Sequence, residues 1–148
     1  MKKAMYLACA FALALATWTL GRAAAAPRCY PNQRFVVLSG GLVSDNLTKL
    51  AWQQQASPTT MTWAAAQTYC PSGFRLPAVK ELVSIVDLTV AWPGPTIDQT
   101  AFPSTPAEAF WTSSPYTAVS GNAWHVNFGV GQSLYDGVGS YDRVRCVR

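Results

Sequence analysis

Apolar and polar positions along the chain change period several times. A β-branched run from Arg34 to Ser39 (RFVVLS) reads as a strand, ended by the turn-forming pair Gly40-Gly41. Leu42 to Asp45 and Leu50 to Gln53 then read as a hairpin around Asn46-Leu47-Thr48-Lys49. In TWAAAQTYC the period lengthens: Thr62 suits an N-cap, and Trp63, Ala66 and Cys70 recur at i, i+3 and i+7 on one helical face, which turns Cys70 inward. A turn at Pro71-Ser72-Gly73 leads through Phe74-Arg75-Leu76 to Pro77, placed in the first turn of a second helix. That helix carries an apolar stripe of Val79, Leu82, Val83 and Val86, with Lys80, Ser84 and Asp87 off the stripe and Glu81 facing away.

Leu88 to Pro106 carries Pro93, Pro95, Pro103 and Pro106 together with Gly94, and so reads as a long irregular loop, a type that is functional or well packed in compact domains. Strand-like segments follow at Ala109 to Ser113, Ala123 to Phe128, Gln132 to Tyr135 and Arg143 to Val147. Trp124-His125-Val126-Asn127-Phe128 alternates cleanly, which predicts one face on the core and one toward water, with His125 on the polar side. Strands, two helices, a long loop and an antiparallel set make the fold class α+β. Trp52, Trp63, Trp111 and Trp124 lie in regular segments and are assigned to packing, whereas Trp92 lies in the loop.

The beginning of the chain changes how charge is read. Met1-Lys2-Lys3, an apolar run from Ala4 to Leu20, and the small residues Ala23 to Ala26 have the layout of a secretory signal, residues 1–25, cleaved near Ala25 so that the mature chain starts at Ala26. Lys2, Lys3 and Arg22 are three of the eleven basic residues, leaving eight against seven acids. The high isoelectric point is therefore mostly a property of the leader and gives no argument for nucleic acid. Residues 26–40 are read as an N-terminal leader and first strand, and residues 41–148 as the domain proper. Cys9 leaves with the signal; Cys29, Cys70 and Cys146 remain, an odd number with no Cys-x-x-Cys spacing. Export makes disulfides the default, with one thiol left over. Ala26-Pro27-Arg28 lacks the positions that would mark Cys29 for lipidation.

Candidate chemistry is sparse. No nucleophile motif surrounds His125, and Glu81 and Asp87 stand six residues apart on one helix and do not converge, so no catalytic residue, cofactor or metal is expected. Asp98, Asp136 and Asp142 could offer calcium oxygens, but Asp136-Gly137 is equally a turn. Arg143 and Arg145 would share one face of the last strand, where two guanidiniums could bind sulfate or carboxylate, with ordinary sheet-surface charge as the plainer account.

Four pieces in order, GLVSDNLTKLAWQ, TWAAAQTYC with GFRLPAVKELVSIVD, IDQTAFPSTPAEAFWTSS, and AWHVNFGVG closing on YDRVRCVR, resemble the Lcl C-terminal domain family over Gly41 to Arg148. The link between Cys70 and Gly73 is shorter than in many relatives. The resemblance implies a C-type-lectin-like fold, two helices packed on antiparallel sheets with a projecting long loop, and a disulfide between Cys70 and Cys146. Its namesake is a bacterial surface adhesin associated with sulfated glycosaminoglycans; most members have no assigned activity. The Glu-Pro-Asn, Gln-Pro-Asp and Trp-Asn-Asp triplets of calcium-dependent sugar-binding lectins are absent. GFRLP is also similar to a stretch in formylglycine-generating enzymes, but only Cys146 stands where those use a cysteine pair. The expectation is a secreted or periplasmic, non-catalytic binding module for a glycan or other envelope component, with no stable membrane insertion after cleavage. In the implied fold, Leu88 to Pro106, Pro115 to Asn122 and Asp136 to Ser140 would form one surface, offering Trp92 and Tyr116 as apolar platforms and Asn122 and Asp136 as hydrogen-bonding groups. A structural or protein-interaction module of the envelope is the rival reading.

Overall fold

The computed structural model describes residues 33–148. The signal segment, its cleavage point and the leftover thiol Cys29 lie outside the described residues. Two three-stranded antiparallel sheets and two short helices make an α+β domain. The first sheet holds β1 (Phe35–Leu38), β2 (Leu42–Asp45) and β3 (Ala51–Gln53) in sequence order. Its register pairs Val43 with Val37 and Trp52, and the two-residue period buries Val43 and Asp45 while leaving Leu42 and Ser44 half-exposed. After α1 (Trp63–Tyr69) and α2 (Val79–Ser84), β4 (Ala109–Pro115), β5 (Asn122–Asn127) and β6 (Gln132–Gly137) form the second sheet, also in sequence order.

The second sheet is covered on both faces. Phe110 and Trp111 are neighbours on β4 and so point to opposite sides. On one side Phe110, Val126 and Phe128 pack with Leu82 and Ile85 at the end of α2 and with Val43 and Trp52 of the first sheet. On the other, Trp111 and Ala123 pack with Ala66 of α1, Leu76, Val144 and Cys146. The helices therefore sit on opposite faces of this sheet. The long loop supplies Ile97, Ala101 and Phe102 to the first cluster, which makes it part of the core rather than an appendage.

The segment expected as a last strand, Arg143 to Val147, is extended but joins no single neighbour. Asp142 exchanges backbone bonds with Met61, Arg143 with Ala109 and Trp111, Val147 with Arg75, and Arg148 with Ala51. It threads between the two sheets and ties them together, which is why it contributes only isolated bridges. Cys70, the residue after α1, is joined there to Cys146, with Cα atoms 5.7 Å apart. The pairing implied by the family resemblance is thus present.

Helix ends differ from expectation in detail. Thr62 occupies the N-cap of α1, but its side chain makes no cap bond. Pro77 stands two residues ahead of α2, whose N-cap is Ala78. Glu81 does not face away: it reaches back to the Ala78 amide at 2.8 Å and holds Arg75 through both carboxylate oxygens, at 2.7 and 2.6 Å. The hydrogen bonds from Arg75 outweigh burial and keep the Glu81 carboxyl below its usual range. Of the expected stripe Leu82 is buried and Val86 packs against the core, whereas Val83 is 40% exposed and Ile85 joins the core beside Leu82.

Candidate functional site

Large side chains with access to solvent gather at the free edge of the second sheet. Tyr116, just past β4, lies flat against Tyr135 of β6, with ring centroids 4.0 Å apart and planes within 4°. Trp124 of β5 meets both rings edge-on, at 5.0 and 6.4 Å. The cause is register. Trp124 pairs with Tyr135 across the β5–β6 ladder, and the Tyr116 amide donates to the Asn122 carbonyl at 2.9 Å, placing Tyr116 beside the same pair. Tyr116 and Trp124 are half-buried, whereas Tyr135 is 49% exposed. The result is a braced aromatic wall with one ring open to solvent.

Asn122 belongs to this wall by the pleat, because residues 122, 124 and 126 share a face. It pairs with Gly137, where a Cβ would stand 4.0 Å from its side-chain oxygen, so the glycine leaves the Asn122 amide uncrowded. Asp136 pairs with Ala123 and therefore points to the opposite face, where its carboxylate accepts the Gly137 amide at 2.7 Å. Trp92 is also elsewhere. Its loop is seated on the β5–β6 turn, where Thr96 donates to the Phe128 carbonyl, whereas Tyr116 lies at the β4–β5 connection at the other end of the hairpin. Of the four residues expected to share a surface, the structure brings together Tyr116 and Asn122. Tyr135 and Trp124 complete the cluster. Tyr135 escaped the sequence reading, although its place at the end of a strand opposite an aromatic partner was there to be read.

The arginine face does not exist. Arg145 is wholly buried: one guanidinium nitrogen donates to the Gln53 carbonyl at 2.9 Å and also to Gln54, and another donates to the Thr105 hydroxyl at 2.6 Å. Its Cζ lies 4.8 Å from the Phe102 ring centre. Burial pulls this guanidinium down to about 9, so it is still charged at neutral pH. Arg143 turns to Glu108 at 2.8 Å and to the Ser57 and Pro58 carbonyls at 3.0 and 2.7 Å. Both arginines are spent on holding the C-terminal segment, whose Val144, Cys146 and Val147 are buried in the two clusters, and of the two only Arg143 keeps partial access to solvent.

His125 is likewise buried rather than superficial, with Nδ1 3.1 Å from Asp142 Oδ2 and its ring centre 6.1 Å from that of Trp111. Its strand alternates between two packed sides, so the polar phase also points inward. Among the described residues no three His, Cys, Asp or Glu side chains converge as metal ligands. Asp98 accepts the Thr100 and Ala101 amides, and Asp142 holds His125.

A groove of about 700 Å³ opens between β1 and the start of the long loop, walled by Phe35, Val37, Ile85 and Leu88. Its charged members are committed to the fold. Arg34 grips Asp45 through two bonds, at 3.2 and 3.0 Å, and donates to the Ser84 carbonyl at 2.6 Å. Burial pushes the Asp45 carboxyl up, but Arg34, the Leu47 amide and the Thr48 hydroxyl outweigh it and hold the group below the usual carboxylate range.

This is a disulfide-tied α+β domain whose open chemistry is an aromatic wall. The family model of the Lcl C-terminal domain matches residues 41–148, and the chain belongs to that family. No curated protein matches it. Among the described residues no helix is long and apolar enough to cross a membrane.

Proposed function

We propose that the protein is an exported, non-catalytic binding module of C-type-lectin-like fold that recognises carbohydrate or another surface polymer through the Tyr116–Tyr135–Trp124 wall. The observation that carries this reading is the flat Tyr116–Tyr135 stack, braced by Trp124, which fixes an exposed ring before any ligand arrives. A sugar presents an apolar C–H face and a polar rim, and a rigid aromatic face next to the Asn122 amide suits both. Family membership supports an envelope or extracellular setting, and the Cys70–Cys146 bond fits a chain that folds in an oxidising compartment, secreted or periplasmic. A catalytic reading has little to work with: His125 is engaged by Asp142, Glu81 by Arg75, and Cys146 by its disulfide.

A glycan array with the exported protein and its Tyr135→Ala variant tests the proposal. The expected outcome is a hit whose affinity falls about tenfold in the variant, with an unchanged melting temperature. An array hit bound equally well by Tyr135→Ala would place the site elsewhere. The rival, a protein-interaction module of the envelope, draws on exposed apolar side chains at the opposite end of the hairpin, Leu88 and Trp92.

A further inference from the structure

The start of the long loop exposes apolar side chains and carries no charge. Residues 88–95 form an excursion closed at its base, where the Asp87 amide donates to the Thr96 carbonyl at 2.8 Å. Thr96 is anchored in turn on the Phe128 carbonyl through its amide at 2.7 Å and its hydroxyl at 2.8 Å. The excursion reads LTVAWPGP and contains no charged side chain. Trp92 is 80% exposed and Leu88 74%. The β5–β6 turn beside it, FGVG, is also uncharged, with Val130 49% exposed.

Its backbone is equally suited to an apolar setting. The Thr89 amide and hydroxyl both donate to Asp87 Oδ1, at 2.9 and 2.6 Å. The Val90 amide goes to the Asp87 carbonyl and the Gly94 amide to the Ala91 carbonyl, at 3.3 and 3.1 Å, while Pro93 and Pro95 have no amide hydrogen to leave unpaired. An apolar medium penalises charge and open hydrogen-bond donors most heavily. This loop carries no charge, and its Thr89, Val90 and Gly94 donors are satisfied within it or by Asp87 at its base.

We propose that the Trp92 loop is a lipid-docking element, whose Trp92 and Leu88 side chains enter the interfacial zone of a bilayer in a reversible, peripheral contact. The proposal is independent of the aromatic wall. A lipid surface fits better than a protein partner because the loop offers two highly exposed apolar side chains, Trp92 and Leu88, and no charged or matched polar group, whereas a stable protein interface buries about 800 Å² on each side and needs a matching shape. A bilayer accepts exposed apolar side chains without shape complementarity, and tryptophan favours the headgroup boundary. With no basic residue in the loop, the attraction is hydrophobic and does not require anionic lipid.

Co-sedimentation with phosphatidylcholine vesicles, with and without added phosphatidylglycerol and at low and high salt, tests this. The expected result is binding that is insensitive to salt and to the anionic lipid. It falls about tenfold or more in Trp92→Ala and in Leu88→Asp, is largely kept in Trp92→Phe, and leaves the melting temperature unchanged. Three results overturn the proposal: no binding by the parent protein; equal binding by Trp92→Ala, which would assign lipid affinity to another part such as a retained Ala4–Leu20 run; or loss of self-association in Trp92→Ala without any lipid effect, which would make a second copy the occupant.

Discussion

Replacing Arg145 by methionine should disturb the protein less than replacing it by lysine. The side chain is wholly buried, and among the described residues it has no acidic partner. Burial pulls its guanidinium down to about 9, which marks an unfavourable charge burial of several kcal/mol. Against this stand three accepting groups, the Gln53 and Gln54 carbonyls and the Thr105 hydroxyl. Stranding each costs about 1–3 kcal/mol, roughly 5 in sum. Methionine relieves the charge burial but strands the acceptors, and it fills most of the volume beneath Phe102, so the two terms roughly cancel and the net change should stay within about 2 kcal/mol. Lysine keeps a buried charge but replaces a planar fork by a point donor that cannot serve the two Gln carbonyls and Thr105 together, so it should lose about 2–4 kcal/mol. Alanine resembles methionine with a cavity added, a further 2–4 kcal/mol or so. Urea denaturation with matched m-values reads all three. If lysine is tolerated while methionine loses more than about 4 kcal/mol, the hydrogen bonds dominate and the charge-burial argument is wrong.

Two further changes test the staple and the buried acid. Cys70→Ser should lower stability by about 4–5 kcal/mol on the chain-entropy account, because the disulfide spans a sequence separation of 76, and a urea midpoint unchanged by the substitution or by reductant would refute it. Asp45 has a depressed folded-state value, so its contribution is fully present above the unfolded value of 3.8 and is lost as pH falls through the lower folded value. Asp45→Asn should cost about 2 kcal/mol at neutral pH and flatten the acid limb of the stability profile; a limb as steep as in the parent protein would assign it to other carboxylates.

Local pattern carried much of the fold. The Gly40-Gly41 turn, the Val43 and Trp52 positions, the α1 face of Ala66 and Cys70, and the strands around Phe110 and Val126 all follow from period and turn chemistry visible in the residues. Helix boundaries were less legible. Glu81 looks like a surface acid on a helical wheel, yet three-dimensional proximity to Arg75 and Ala78 bends it back over the helix start.

The larger errors share one cause, and it bears on where a ligand can sit. Alternation along a strand reports that two faces differ, not that one of them is wet. In β5 and in the C-terminal segment both phases are packed, one against the cluster of Phe102 and Phe110 and the other against that of Trp111 and Val144. His125 and Arg145 occupy the polar phase and are buried with partners of their own. A sequence offers no sign of a second covering layer when that layer comes from a distant irregular loop and a chain end. β6, by contrast, is the free edge: its first four residues are all exposed, including Leu134 and Tyr135. Polar residues drawn from covered strands are therefore poor guides to a site in this fold, and aromatic residues on the uncovered edge are better ones. By that criterion Tyr135, with Tyr116 behind it and Trp124 at its side, outranks Arg143 and Arg145 as a point of contact for a ligand, and Asp136, on the other face of β6, stands apart from it.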